Sequence, residues 1–166
     1  MAASLEIGQP AATAFTSDGN SYTSGISAIS IYAAASVAFD HNGDLWVADY
    51  GNNRVLEFVP PFSNGMAASL VLGQVDFTHG LSNQGGSPAA NTLSFPSGLE
   101  FDSGGNLIVE DTQNNRTLIF SAPFTNNVSA TTVLGQSNLT NNFPNQLNNI
   151  PVGANILRTP ANGLVF

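Results

Sequence analysis

The sequence predicts an all-β protein built from repeated units of four antiparallel strands, and three observations carry that expectation. Residues 39–74 realign on residues 101–136 at a constant offset of 62 without a gap, and 19 of the 36 aligned positions are identical. Within short runs, apolar and variable residues alternate, the period of a strand with one face in a core. Gly, Asn and Pro fall between those runs at matching places in both copies. A fixed period of this size marks one supersecondary unit used repeatedly, because a single unit cannot bury its apolar face alone.

The unit reads as follows. Val37–Phe39 and Leu99–Phe101 form a first strand. Asp40-His41-Asn42-Gly43-Asp44 and Asp102-Ser103-Gly104-Gly105-Asn106 form the turn after it, with Gly43 and Gly105 supplying the positive φ of a tight hairpin. A second strand spans Leu45–Asp49 and Leu107–Asp111. A Gly/Asn turn follows, then an arginine, then a third strand over Val55–Val59 and Thr117–Ser121. Pro60-Pro61 and Pro123 end it, since proline cannot continue a ladder. The fourth strand is Ser69–Leu72 or Thr131–Leu134, closed by the sequence Val-Leu-Gly-Gln. A long polar excursion then leads to the next first strand. A helix over Ile26–Ala35 is the weakest alternative, and its β-branched residues and serines argue against it.

The flanks carry partial copies. Gly8-Gln9 lies 65 residues before Gly73-Gln74, and Gly163–Phe166 lies 65 after Gly98–Phe101. The expected division is therefore residues 1–35 as a last strand with a long loop, 36–97 and 98–162 as whole units with their connecting loops, and 163–166 as the first strand of a further unit. Four antiparallel strands per repeat is the pattern of a β-propeller blade, and two such blades with stubs make an incomplete ring.

The residues G-D-L-W-V-A-D-Y-G-N-N-R-V-L-E-F at 43–58 resemble the NHL repeat, whose usual form is G-N-I-Y-V-A-D-x-x-N-N-R-V. Residues 105–120 are similar more loosely, with Glu110 in the alanine place. The resemblance covers both whole units. It implies a propeller that binds other molecules on its faces, and some relatives are lyases or lactonases. The period here is longer than the family's because of the excursion between the fourth and first strands.

Composition excludes several classes. Only 8% of the 166 residues are charged, against a usual quarter, and the net charge is −8 with a pI near 4.1. Lysine is absent, and the three cations are Arg54, Arg116 and Arg158. Nucleic-acid binding needs a cationic footprint, as does attraction to an anionic membrane surface, so neither is expected. The absence of cysteine removes disulfides and thiolate metal sites. Met1-Ala2-Ala3-Ser4 lacks the parts of a signal peptide, while the Asn/Thr-rich, lysine-free composition suits a secreted or cell-surface protein.

Asp49 with Arg54, and Asp111 with Arg116, recur at one repeat position across a hairpin turn. They are expected to form a structural clamp, the carboxylate gripping the guanidinium at two points. Asp40-His41-Asn42-Gly43-Asp44 alternates oxygen donors like a calcium loop, but the second copy loses most of them and the glutamate of such a loop is missing, so a polar turn is expected. Trp46, His41 and His79 are the candidates for a ligand face, with packing between blades as the other reading of Trp46. Phe58 with Phe120, and Phe62 with Phe124, are expected in the core. Asn-x-Ser/Thr triplets begin at Asn115, Asn127 and Asn138 and matter only in a glycosylating host.

No catalytic, cofactor or metal residues are assigned, since no His-x-His, His-Glu or Gly-x-Ser-x-Gly occurs. The function expected is a non-catalytic binding or assembly module that completes its ring by self-association or within a longer repeat protein. Its partners are then a second copy, or a protein or carbohydrate ligand. A propeller enzyme of the lyase or lactonase kind and a structural segment of an extracellular scaffold are the alternatives.

Overall fold

The computed structural model describes residues 4–9 and 25–144. These described residues hold eight strands in two four-stranded antiparallel sheets, each ordered as a simple meander. The first holds β1 (Ala34–Phe39), β2 (Leu45–Asp49), β3 (Arg54–Phe58) and β4 (Leu70–Leu72). The second holds β5 (Pro96–Phe101), β6 (Leu107–Asp111), β7 (Arg116–Phe120) and β8 (Thr132–Leu134). The two sheets are β-propeller blades, and the registers of one copy reproduce those of the other at the same offset of 62, Asp49 facing Arg54 as Asp111 faces Arg116.

The first strand of each blade starts three residues earlier than the alternation indicates. Ala34-Ala35 and Pro96-Ser97 are poor strand formers, yet they pair with the far ends of β2 and β6 across a register shift. The third strands begin at the arginine rather than after it, because Arg54 and Arg116 pair directly with the aspartates opposite. Residues 26–33 form no helix, and Ala34-Ala35 belong to β1.

Short 3-10 turns at Tyr50–Asn52 and Thr112–Asn114 join the second and third strands. Each ends on an asparagine in the left-handed region, Asn53 at φ 55° and Asn115 at φ 52°, a conformation that asparagine tolerates better than most residues. This explains the paired asparagines of the repeat. The first donates to the aspartate three residues back; the second makes the turn.

The larger of two core clusters lies in the seam between the blades, and the smaller gathers Val47, Leu56, Phe58 and Val71 of blade one with Ile7 and Ile31. Trp46 on β2 is fully buried and meets Phe101 and Phe124 of the second blade edge-on, with ring centroids 5.7 and 5.0 Å away. Leu72, Leu93, Leu107 and Leu118 close around it. Removing a buried ring of this size typically costs about 3–5 kcal/mol. Phe58 and Phe120 are fully buried, whereas Phe62 and Phe124 are only half-buried, because they sit in the hairpin after the third strand and not in the sheet.

The closing Val-Leu-Gly-Gln has a structural account. Gly73 adopts φ 86° and lies against Leu93. Gln74 Nε2 then donates to the carbonyls of Asn53 and Leu81, both at 2.9 Å. Gln136 repeats this with Asn115 and Phe143. Residues 4–9 are not a strand, which corrects the last strand expected within residues 1–35, but they run alongside the first blade. The expected strand Gly163–Phe166 and Arg158 lie outside the described residues.

Candidate functional site

Asp49 and Arg54 meet at 2.7 Å with both side chains sealed from solvent, and so do Asp111 and Arg116. The expected two-point grip does not form. Only Nε donates to the carboxylate. The other guanidinium nitrogens reach backbone carbonyls: Nη1 of Arg54 binds Phe77 at 2.6 Å, and Nη2 binds Ser27 at 3.0 Å and Ser30 at 2.7 Å. Arg116 takes Leu139, Ala89 and Thr92, each 62 residues on. One arginine thus ties the hairpin of its blade to the loop that precedes the blade and the loop that follows it.

The carboxylate side is equally filled. Asp49 accepts from the Tyr32 N–H at 2.7 Å and from the Asn52 amide, and Asp111 accepts from the Ser94 N–H at 2.7 Å and the Asn114 amide. Burial pushes both carboxyls above the usual aspartate range, and the guanidinium, the asparagine amide and the backbone N–H pull the other way. A site this filled has no room for a ligand.

The second feature is a groove of about 370 Å³ where the first turn of blade one faces the second blade. Asp40, His41, Asp44 and Glu57 line one wall and Phe101, Pro123 and Phe124 the other. Asp40, Asp44 and Glu57 each bring a carboxylate oxygen within 4.8 Å of the other two. Asp40 Oδ1 accepts the N–H groups of Asn42 and Asp44, at 2.8 and 3.0 Å, which shapes the turn. Asp102 does the same in the second copy. Glu57 Oε2 takes the Ser69 hydroxyl at 2.6 Å. Asp44 is pushed up by burial and then by the Asp40 charge, and Glu57 is pushed up by burial first and also by both aspartates.

Three oxygen donors so close are the hard-ligand set suited to a divalent cation such as calcium. The glutamate missing from the loop is replaced by one from β3. Sequence reasoning passed over it because Ile119 stands at the matching place in the second copy, so no repeat signal marks it.

The three candidates for a ligand face separate. Trp46 is not on one: it has no exposure, since the neighbouring blade packs on it. His41 is exposed on the groove wall. His79 sits in the loop after β4, where its Nδ1 lies 2.7 Å from an Asp76 oxygen on the surface. The two histidines therefore belong to different places. Of the triplet asparagines, Asn115 is buried in the turn before β7. Among the described residues no helix is long and apolar enough to cross a membrane.

Residues 33–58, which span β1 to β3 of the first blade, match the family model of the NHL repeat. A search of the curated proteins finds no matching relative. The match thus covers three strands of the first blade, which is similar to an NHL repeat, and the second unit aligns on that blade residue for residue and shares its four-stranded fold.

Proposed function

We propose that this chain is a non-catalytic binding or assembly module whose blades complete a ring with further blades, from a second copy or from a longer repeat polypeptide. The observation that carries the reading is the contrast between the two outer strands. Leu72 on β4 has no exposure, because the second blade covers it, while Leu134 at the same place on β8 is 50% exposed. An apolar strand edge left open is a template for pairing, and heterologous pairing of identical units gives rings when the rotation closes. The buried Asp–Arg charges are consumed by the clamp, buried Glu110 accepts from the Ser97 hydroxyl, and the histidines do not converge with any of them, which favours assembly over chemistry.

Light scattering across a concentration series tests the reading. The mass per particle is expected to rise from that of one chain to that of a small closed oligomer. With a net charge of −8 repelling copies, moderate salt should favour the larger species. A fixed single-chain mass from micromolar to near-millimolar protein would sink it.

A further inference from the structure

The seam between blades has a backbone latch as well as an apolar core. Val71 on β4 turns its N–H and C=O away from β3. The N–H donates to Asn126 Oδ1 at 2.9 Å, and the C=O accepts from the Asn127 N–H at 2.9 Å. Both partners belong to the hairpin between β7 and β8. The hairpin between β3 and β4 offers the same socket 62 residues earlier, and it is filled from the N-terminal arm: the Glu6 N–H donates to Asn64 Oδ1 at 2.8 Å, and the Glu6 C=O accepts from the Gly65 N–H at 3.1 Å.

The likeness extends along both segments. Gly8 adopts φ 90° and lies so close to Ile31 that an added Cβ would stand 2.6 Å from Ile31 Cδ1. Gly73, at φ 86°, stands in the same relation to Leu93, again with 2.6 Å to Cδ1. Ile7 packs in the cluster of Ile31, Phe62 and Met66. The arm therefore occupies on blade one the place that β4 occupies on blade two.

A third plug has the same form. Val133-Leu134 on β8 and the Gly135 that follows repeat Val71-Leu72-Gly73, with Gly135 at φ 85°, and Val133 faces Leu118 as Val71 faces Leu56. Among the described residues no socket covers it. Three plugs thus share two sockets. The socket on blade one fits a β8 plug by the same chemistry with which the neighbouring socket holds β4.

We propose that the arm at Ser4–Gln9 is a self-cap, and that the β8 edge of a second copy docks on blade one by displacing it from the Asn64–Gly65 socket. The occupant is a second copy because the chain holds the equivalent plug, β4, in the equivalent socket at Asn126–Asn127. The inference rests on the self-association reading and adds the surface and the competitor. Intact chains then associate weakly, since the arm is tethered and a second copy must compete with a high local concentration.

Two arm variants test this beside the intact chain, with light scattering as the readout. One lacks residues 1–9. The other is Gly8→Ala, which keeps the arm in the chain but sets a Cβ against Ile31 and so loosens its seat in the socket. Both are expected to reach half-association at a concentration at least tenfold lower than the intact chain. A synthetic peptide of residues 1–9 should return the truncated form to single chains, and Leu134→Asp added to Gly8→Ala should prevent association. Equal association by all three forms would overturn the cap while leaving self-association standing. Loss of association on removing the arm would overturn it too, making the arm a bridge. Aggregates that the peptide does not reverse also count against it. Single chains in every form would remove the self-association reading itself.

Discussion

Arg54 gives only one of its N–H groups to Asp49, at 2.7 Å, and spends three more on the carbonyls of Ser27, Ser30 and Phe77. The pair is thus the centre of a buried junction of three chain segments, and each Arg–Asp pair is worth more as a fastener than as a salt bridge.

Removal of Arg54 leaves Asp49 buried without its cation and three carbonyls without a donor. Arg54→Ala is expected to destabilise the chain by about 3–5 kcal/mol. Arg54→Lys should recover little, because an ammonium on a flexible stem cannot reproduce the planar fork. Urea unfolding of both variants checks this, with His79→Ala as an exposed control expected to change little. A lysine variant as stable as the parent would show that charge alone matters.

Gly73→Ala combines a left-handed backbone with a Cβ 2.6 Å from Leu93. Backbone strain and overpacking each cost about 1–3 kcal/mol. Adding Leu93→Ala should relieve the overpacking and leave the strain, so the double variant should be less damaged than the sum of the single ones. Strict additivity in a double-mutant cycle would argue that the two residues do not press on each other.

Glu57→Gln keeps the acceptor for Ser69 and removes one of three crowded charges. A carboxyl whose folded pKa is raised opposes folding when ionised, so its contribution worsens as pH rises past the usual range and vanishes in acid. The variant is expected to melt higher than the parent at pH 7, by a margin kept small by solvent screening, and to match it near pH 3. Thermal melts at the two pH values decide the matter. With millimolar calcium, the order at pH 7 should reverse if the three carboxylates hold the ion.

Asp76 runs in the opposite sense. Hydrogen bonds from His79 and Thr78 hold its carboxyl down to about 2, from a usual 3.8. A depressed folded pKa stabilises above the unfolded value, and the gain is lost as pH falls from 3.8 towards 2. Carboxyl NMR should find its midpoint near the lower value, and His79→Ala should raise it. An Asp76 midpoint unchanged by that substitution would mean that the surface pair does not form in solution.

The sheets were legible because alternation, turn glycines and a second copy all point the same way. Strand β2 could be read to the residue; β1 could not, since Ala34-Ala35 is strand only by virtue of what lies opposite. The aspartate and arginine of the junction stand out in sequence, but their carbonyl partners leave no mark, because any residue supplies a carbonyl. Glu57 was hidden for the converse reason: it is a departure from the repeat. Trp46 was ambiguous because one aromatic residue can face a ligand or a neighbouring blade, and only the approach of Phe101 and Phe124 decides.

The carbonyl contacts of Arg54 and Arg116 carry a last consequence. Residues 27–32 read Ser-Ala-Ile-Ser-Ile-Tyr, and residues 89–94 read Ala-Ala-Asn-Thr-Leu-Ser, yet the two loops are gripped at corresponding main-chain atoms. A grip on the main chain is indifferent to most side chains. The loops between blades are therefore free to vary in what they display while the frame beneath them keeps its shape, so a new surface can be written onto this scaffold without rewriting its core.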